Sequence, residues 1–212
     1  MDPENDYIKS GQRLMSLEHG LSLLEVKNNR EKVAVIGVHG GRSEGYEWIY
    51  PLTKLDQKDR LTLFYRWDDR SCFLASALQL NQEILSLLEE NSTIEKVVLL
   101  GHSYGGILLT WFIENWKSNT PIEIHTIASP LAGLNSITSS CNYVPPKQKS
   151  KNVKSVQWRT IKTLDNAFKN LSFDPQLINF KGHEVRNLPD KYKGKRLGHN
   201  WSLSYVADEI IF

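Results

Sequence analysis

The chain has 212 residues, a formal net charge of +2 and two cysteines. This length is ample for one α/β domain with a full core and short for two domains. Acidic and basic residues are interspersed, which gives no sign of a nucleic-acid-binding surface, and no apolar stretch is long enough to cross a bilayer.

The first 20 residues are mixed and polar. They predict an N-terminal arm over residues 1–20, with a helical turn, ahead of a single domain over residues 21–212. The extreme N-terminus is acidic and lacks the apolar core of a signal peptide. We therefore expect a soluble, cytoplasmic protein as the sequence is written, and an exported one if a signal peptide has been removed.

Two apolar segments open the predicted domain. Residues 21–26 predict an edge strand that ends at an Asn28-Asn29 turn. Residues 33–38 form a continuous, largely β-branched apolar run, which is typical of a strand buried on both faces of a parallel sheet. The chain therefore enters its central sheet early.

A glycine-rich turn, His39-Gly40-Gly41-Arg42-Ser43, follows that strand directly. Glycine lets the backbone curl, so that N–H groups can point into a cleft and bind a developing negative charge. The same composition also fits an ordinary strand-to-helix turn. The aromatic run at residues 46–50 then either lines a substrate pocket or begins a helix.

Strands and helices alternate through the middle of the chain. Apolar residues recur at three- and four-residue spacing through residues 74–91, which predicts an amphipathic helix. Short runs rich in apolar residues on either side predict strands at residues 61–65 and 97–100, and residues 122–127 predict a further strand. The alternation predicts an α/β fold with a mainly parallel central sheet and helices on both faces.

The segment Gly101-His102-Ser103-Tyr104-Gly105-Gly106 lies between the 97–100 strand and a helix that extends to about residue 117. A serine in a sharp strand-to-helix turn, flanked by glycines, is typical of a nucleophile elbow. The turn also places Ser103 at a helix N-terminus, where the Tyr104 N–H can stabilise negative charge. Ser103 is therefore the predicted nucleophile.

This motif and its flanks resemble the α/β-hydrolase superfamily, from about residue 32 to the C-terminus. The resemblance is to serine esterases and lipases in a minimal form without a cap domain. It implies a triad in the chain order Ser, acid, His, and an oxyanion hole made by Tyr104 with a backbone N–H of Gly40, Gly41 or Arg42. Residues 128–133 also resemble a small-residue turn of lipases similar to GPI-inositol deacylases.

Asp165 fits the triad acid best. The chain has no Asp or Glu between Glu123 and Asp165, which excludes an acid just after the 122–127 strand. Residues 156–160 alternate as an outer strand would, and the run continues to Asp165. Asp174 is the competitor, although the proline that follows it also fits a turn.

Two histidines compete for the role of general base, His183 and His199. Both lie between a predicted last strand at residues 176–180 and a predicted last helix at residues 202–212. His199 follows a glycine and immediately precedes that helix, as the triad histidine commonly does in the superfamily that the chain resembles. We therefore predict His199 as the base.

Residues outside these motifs give weaker signals. Cys72 and Cys141 both follow predicted strands on the active-site side; two unpaired thiols are the favoured interpretation, and a disulfide stays open. The six histidines are scattered, and we predict no metal site and no cofactor. Residues 134–152 predict a mobile basic loop, either simply solvated or in contact with an anionic substrate or a lipid surface.

We expect a serine hydrolase that cleaves a carboxylic ester through an acyl-enzyme, with a small-molecule or lipid ester as substrate. Tyr46, Trp48, Trp67 and Leu131 are expected on loops at the carboxyl edge of the sheet, where they would bind an apolar group. An acyltransferase or a thioesterase would use the same triad, and a non-catalytic binding protein could share the fold.

Overall fold

The structure is a computed structural model that describes residues 6–25, 27 and 30–210. Within these residues, a seven-stranded sheet accompanies a separate two-stranded hairpin. The sheet strands are β1 (Gly20–Leu23), β2 (Val33–Val38), β3 (Arg60–Arg66), β4 (Lys96–His102), β5 (Ile122–Ile127), β6 (Val153–Arg159) and β7 (His183–Asn187), and the hairpin strands are β8 (Lys191–Tyr192) and β9 (Lys195–Arg196). The helices are α1 (Tyr7–Met15), α2 (Tyr46–Leu55), α3 (Phe73–Glu90), α4 (Tyr104–Asn115), α5 (Asn135–Ser140) and α6 (Trp201–Glu209), with a 3₁₀ turn at Lys162–Leu164.

The sheet has the order β1-β3-β2-β4-β5-β6-β7, and every neighbouring pair is parallel except β1 with β3. This confirms the predicted α/β fold with a mainly parallel sheet. The central strands β2 and β4 are largely apolar because helices cover both faces of the sheet. The predicted edge strand is β1; Val26 and the Asn28-Asn29 turn lie outside the described residues.

Alternate strand residues point to two separate cores. On one face Ile36 and Leu99 pack with α3 and α4, and on the other Val35 and Val98 pack with α1, α2 and α6. Because all the parallel strands run the same way, their carboxyl ends meet at one edge of the sheet. The loops after β2, β4 and β6 therefore converge there.

The N-terminal segment forms a nine-residue helix, more than the single helical turn that the sequence predicts. The Asp6 side chain caps it by accepting a hydrogen bond from the Lys9 N–H at 3.0 Å. Leu14 is buried against α2, and Gly11 lies against the start of α2. The amphipathic pattern of this helix is what attaches it to the domain.

The prediction of a last strand at residues 176–180 is wrong, because the edge strand is β7 at His183–Asn187. The Gln176 carbonyl accepts a hydrogen bond from the Gln157 side chain at 2.7 Å, and the Gln176 amide donates to the Thr160 carbonyl at 3.0 Å. These side-chain contacts replace a strand ladder. The last helix ends at Glu209, and residues 211 and 212 lie outside the described part of the chain.

The favoured interpretation of Cys72 and Cys141 as unpaired thiols is wrong, since the structure joins them in a disulfide with 5.3 Å between their Cα atoms. Cys72 immediately precedes α3, and Cys141 immediately follows α5. The segment 134–152, predicted as a mobile loop, contains α5 and is held at further points. The Tyr143 hydroxyl donates to the Leu131 carbonyl at 2.8 Å, and Tyr143 is buried.

Across the described ranges, no helix combines the length and the apolar character that crossing a bilayer requires.

Candidate active site

Ser103 lies in the sharp turn between β4 and α4, with φ at 52°. Glycines around it are required by close backbone contacts: a Cβ at Gly105 would lie 2.4 Å from the Val38 carbonyl oxygen, and one at Gly106 would lie 1.9 Å from Ser129 Oγ. A non-glycine residue at positive φ is a strained conformation that the surrounding structure must hold in place. The turn therefore has the steric requirements of the elbow that the sequence predicts.

The glycine turn after β2 lies directly against this elbow. A Cβ at Gly40 would stand 2.9 Å from Ser103 Cβ, and one at Gly41 would stand 3.8 Å from Tyr104 Cβ. The N–H of Arg42 donates to the Asp69 carboxylate, which occupies that donor. Within the described residues, the N–H groups of Gly41 and Tyr104 have no protein acceptor. Of the three predicted loop donors, Arg42 is thus already engaged.

His39 anchors the glycine turn. Its Nδ1 is 2.8 Å from the Gly40 carbonyl oxygen, and its Nε2 accepts from the Trp67 N–H at 3.1 Å. This pair of contacts requires a neutral ring with the proton on Nδ1. Burial lowers the pKa of His39, which favours the same neutral form. His39 therefore joins the ends of β2 and β3.

His199 and Asp165 are brought together at the same edge of the sheet, with His199 Nδ1 2.9 Å from Asp165 Oδ2. Asp165 is fully buried, and it accepts further hydrogen bonds from the Thr160 hydroxyl at 2.6 Å and from the Ala167 N–H at 2.8 Å. The Phe168 ring meets the His199 ring edge-on, with 5.2 Å between centroids. These contacts set both the tautomer and the orientation of His199.

One cavity of about 180 Å³ joins these parts. Ser103 and His199 both line it, and so do Gly40, Gly41 and Arg42 of the glycine turn. A serine hydroxyl, an imidazole held by a buried carboxylate and the glycine turn with the unengaged Gly41 N–H thus meet around one space, and Tyr104 directly follows Ser103 at the start of α4. Such an arrangement has the components of acyl transfer through a serine nucleophile.

His102, the residue before Ser103, contacts the backbone and the ring of His199. It is buried, its Nε2 is 3.2 Å from the His199 carbonyl oxygen, and the two rings are 4.6 Å apart between centroids. Burial holds the pKa of His102 well below its ordinary value, so that the ring is neutral. A neutral Nε2–H donating to that carbonyl fixes the backbone that presents His199.

The competing residues occupy other places. His183 begins β7, at the opposite end of that strand from the cavity edge, and its ring contacts Ser155 and Gln157 at 3.2 Å each. Asp174 accepts from the Gln176 N–H at 3.0 Å, which is the turn role that its following proline suggests. Neither residue lines the cavity that contains Ser103.

Glu47 is a residue of the cavity wall that the sequence did not single out. The Ser43 hydroxyl donates to its Oε1, while its buried Oε2 has no hydrogen-bond partner in the described structure. Burial raises the pKa of this carboxyl. The sequence signal that could have indicated Glu47 is its position in the first turn of α2, shortly after the glycine turn.

The residues predicted to bind an apolar group of the substrate divide into two groups. Tyr46 lines the cavity, from the first turn of α2. The prediction for Trp48, Trp67 and Leu131 is wrong, because all three are buried in the core. Trp67, for instance, donates a hydrogen bond from Nε1 to the His39 carbonyl at 3.0 Å. Its ring therefore stabilises the first residue of the glycine turn.

No family model matches the chain, and no curated protein matches it either. Solved structures do resemble it. Est1E from Butyrivibrio proteoclasticus is 14% identical with a TM-score of 0.56, and the match covers 89% of each chain. A proposed thioesterase from Silicibacter sp. TM1040 is 14% identical with a TM-score of 0.60, covering 98% of this chain and 90% of the other.

A third similar structure is XC6422 from Xanthomonas campestris, an α/β serine hydrolase without a lid. It is 12% identical with a TM-score of 0.53, and the match covers 89% of this chain and 83% of that one. At these identities the likeness concerns the fold. Together with the strand order and the elbow, it shows that this chain has the α/β-hydrolase fold.

Proposed function

We propose that this protein is a serine hydrolase that cleaves a carboxylic ester through an acyl-enzyme on Ser103. The observation that supports this most is the contact between His199 Nδ1 and the fully buried Asp165 carboxylate, at the edge of the cavity that Ser103 lines. A buried carboxylate that fixes the Nδ1–H tautomer leaves Nε2 unprotonated and able to accept the serine proton.

The reaction then proceeds in two stages. Ser103 Oγ attacks the ester carbonyl carbon while its proton moves to His199 Nε2, and the tetrahedral intermediate collapses as that proton passes to the leaving alkoxide. Water then attacks the acyl carbon while giving a proton to His199, and the bond between the acyl carbon and Ser103 Oγ breaks as His199 returns the proton to Oγ and the acid is released. The hydrogen bond from His199 Nδ1 to Asp165 stabilises the imidazolium in both stages.

The oxyanion of the tetrahedral intermediate is held by the N–H groups of Tyr104 and Gly41. Both groups lack a protein acceptor in the described structure, and the first N–H groups of α4 carry the positive end of the helix dipole. The engagement of the Arg42 N–H by Asp69 supports Gly41 over Arg42 as the second donor. Each such donor typically contributes a rate factor of about 10² to 10³.

A thioesterase or an acyltransferase would use the same groups, and similar structures include both esterases and a proposed thioesterase. The alternatives differ in the acceptor and the leaving group. Comparing an oxygen ester with the matching thioester, with and without an added alcohol acceptor, distinguishes them. Faster turnover of the oxygen ester with water as acceptor supports the proposal.

The direct test is labelling with a fluorophosphonate, which reacts with an activated serine and loses fluoride, followed by intact-mass measurement. The wild-type protein should gain one adduct, and Ser103→Ala should gain none. His199→Ala should lose labelling, whereas His183→Ala should keep it. A folded wild-type protein that takes no adduct would overturn the proposal in favour of a binding protein. A protein that takes the adduct but hydrolyses no short- or medium-chain ester would overturn ester cleavage in favour of the thioesterase or acyltransferase.

A further inference from the structure

A second cavity, of about 340 Å³, adjoins the one that contains Ser103. Its walls are rich in aromatic side chains that come from four separate elements. These are Tyr7 of α1, Tyr46 and Tyr50 of α2, Tyr192 of β8 and Trp201 of α6. We call this space the aromatic cavity. Tyr7, Tyr46 and Trp201 keep 39 to 44% of their surface exposed although they are large and ring-bearing.

The two cavities share part of their walls. Tyr46, Glu47 and Asn200 line both of them, and Asn200 directly follows His199 in the chain. The Asn200 side chain donates to the Tyr46 hydroxyl at 3.0 Å, which places this pair at the boundary between the cavities. The aromatic cavity therefore adjoins the space in which a substrate would react at Ser103.

Two of the tyrosines that line the aromatic cavity, Tyr50 and Tyr192, have hydroxyl groups that are already hydrogen-bonded within the protein. The Tyr50 and Tyr192 hydroxyls each donate to the Asp208 carboxylate at 2.6 Å, one to each oxygen. Ring surface is therefore what these two residues offer to a ligand. The Tyr192 and Trp201 rings meet edge-on, with 5.7 Å between centroids. The Lys193 ammonium lies 4.8 Å from the Tyr192 centroid and the Lys195 ammonium 5.7 Å from the Trp201 centroid, so the ring edges and the remaining ring faces are the surface open to a ligand.

The position of Lys193 disfavours a cationic ligand over the Tyr50 and Tyr192 rings. The Lys193 ammonium lies 4.7 Å from the Tyr50 ring centroid and 4.8 Å from that of Tyr192, and 3.3 Å from Asp208. The favourable cation site over these rings is thus occupied by the protein itself. The carboxylate of Asp208 is balanced by the same ammonium. A flat neutral group fits this lining best.

We propose that the aromatic cavity binds an aromatic ring of the ester substrate, and that this protein acts on aryl-bearing esters. The inference rests on the proposed esterase function and names the substrate class for it. The ring would pack against Trp201 and Tyr192 in offset or edge-on geometry, while the ester carbonyl lies at Ser103. Trp201 is then a residue that determines specificity.

The kinetic test uses esters with and without a phenyl ring. Methyl 3-phenylpropanoate and 3-phenylpropyl acetate place the ring on opposite sides of the ester, and methyl propanoate and propyl acetate are their ringless partners. We expect one ring-bearing ester to exceed its ringless partner at least tenfold in kcat/KM. Trp201→Leu should reduce that ratio about tenfold, and Trp201→Phe should restore most of it.

Phe173→Leu is the matched control, since Phe173 is also an exposed aromatic residue and does not line the aromatic cavity. It should leave both activities and their ratio unchanged. A ratio near one in the wild type, or a ratio that Trp201→Leu leaves unaltered, would overturn the proposed substrate class while the esterase function stands.

A binding measurement separates this inference from the esterase function itself. Titration of the Ser103→Ala protein with 3-phenylpropan-1-ol, followed by the ¹H–¹⁵N signal of the Trp201 indole, needs no catalysis. A saturable shift that Tyr192→Leu weakens supports ring binding even if no ester is hydrolysed. No shift up to the solubility limit of the alcohol would count against the aromatic cavity as a ring site.

Discussion

Gly11 of α1 lies in direct backbone contact with Gly45 at the start of α2. A Cβ on Gly45 would stand 2.4 Å from the Gly11 carbonyl oxygen, and one on Gly11 would stand 2.3 Å from the Tyr46 nitrogen. The N-terminal helix thus packs against the turn that precedes Tyr46, a residue that lines the cavity containing Ser103. Tyr7, one turn earlier in α1, lines the aromatic cavity.

Gly11→Ala should therefore destabilise the protein by about 1 to 3 kcal/mol, because α1 must move away from backbone atoms that cannot yield. The usual effect of this change inside a helix is a gain of up to about 1 kcal/mol. Denaturant unfolding measures the sign. Gln12→Ala, at an exposed neighbouring position, is the control and should be neutral or slightly stabilising; a stabilised Gly11→Ala protein would contradict the close contact.

Asp165→Asn should lower kcat by about 10⁴ while the protein stays folded, because the amide no longer fixes the His199 tautomer that accepts the serine proton. Asp174→Asn should change kcat less than threefold, since Asp174 accepts hydrogen bonds from Gln176 and does not line the cavity that contains Ser103. Steady-state ester hydrolysis measures both variants. A large loss with Asp174→Asn and a small one with Asp165→Asn would reverse the assignment.

Thr160 is expected to act as a positioning residue through Asp165. Its hydroxyl donates to Asp165 Oδ2 at 2.6 Å, and its own N–H donates to Gln176 Oε1 at 2.9 Å. Thr160→Val keeps the shape and removes the hydroxyl, so kcat should fall about tenfold, equivalent to about 1.4 kcal/mol, with KM little changed. Thr160→Ser should recover most of the rate. Equal losses in the Val and Ser variants would indicate a packing role.

Reduction of the Cys72–Cys141 disulfide should lower stability. The bridge closes a segment with a sequence separation of 69 residues, for which chain entropy gives about 4 kcal/mol. Thermal unfolding with and without dithiothreitol measures the effect, and the Cys72→Ser/Cys141→Ser double variant should melt at the reduced temperature under both conditions. An identical melting temperature for oxidised and reduced wild type would show that the bridge does not form in solution.

Acid should destabilise the fold from about pH 6.5 downwards. Burial, with a contribution from Arg159, lowers the pKa of His183 to about 4. The folded state therefore disfavours protonation, and its stability is full above the ordinary pKa of 6.5 and declines as the pH falls towards 4. The buried rings of His39, His102 and His125, whose pKa values burial also lowers, act in the same direction.

His183→Gln should flatten this decline, because the half-buried His183 ring, one of the groups that the fold keeps neutral, is gone. Urea unfolding measured between pH 7.5 and 4.5 gives the slope for each protein. The exposed His19→Gln substitution is the control for the loss of a histidine as such. An unchanged slope for His183→Gln would place the acid sensitivity in the other buried groups.

Local patterns in the sequence determined the order of strands and helices and the position of the elbow. Val33–Val38 and Ile122–Ile127 are observed with the bounds that the sequence predicts. Val33–Val38 is apolar throughout because it is buried on both faces, whereas Ile122–Ile127 is equally buried and carries the polar residues Glu123, His125 and Thr126. The glycines around Ser103 also indicated the elbow turn, since a turn this tight has no room for Cβ atoms. The strand pattern acts along neighbouring residues, and the glycines are recognisable by their spacing around Ser103 although the atoms that exclude a Cβ belong to Val38 and Ser129.

Tertiary structure decided how distant segments meet. Residues 176–180 form no strand because the Gln176 side chain and carbonyl form hydrogen bonds with Thr160 and Gln157 instead. The register of β6 with β7 then places His183 away from the cavity that contains Ser103. The disulfide, the engagement of the Arg42 N–H by Asp69 and the aromatic cavity likewise join separate parts of the chain. Sequence spacing does not encode such contacts, because they depend on where the sheet and its loops bring each backbone in space.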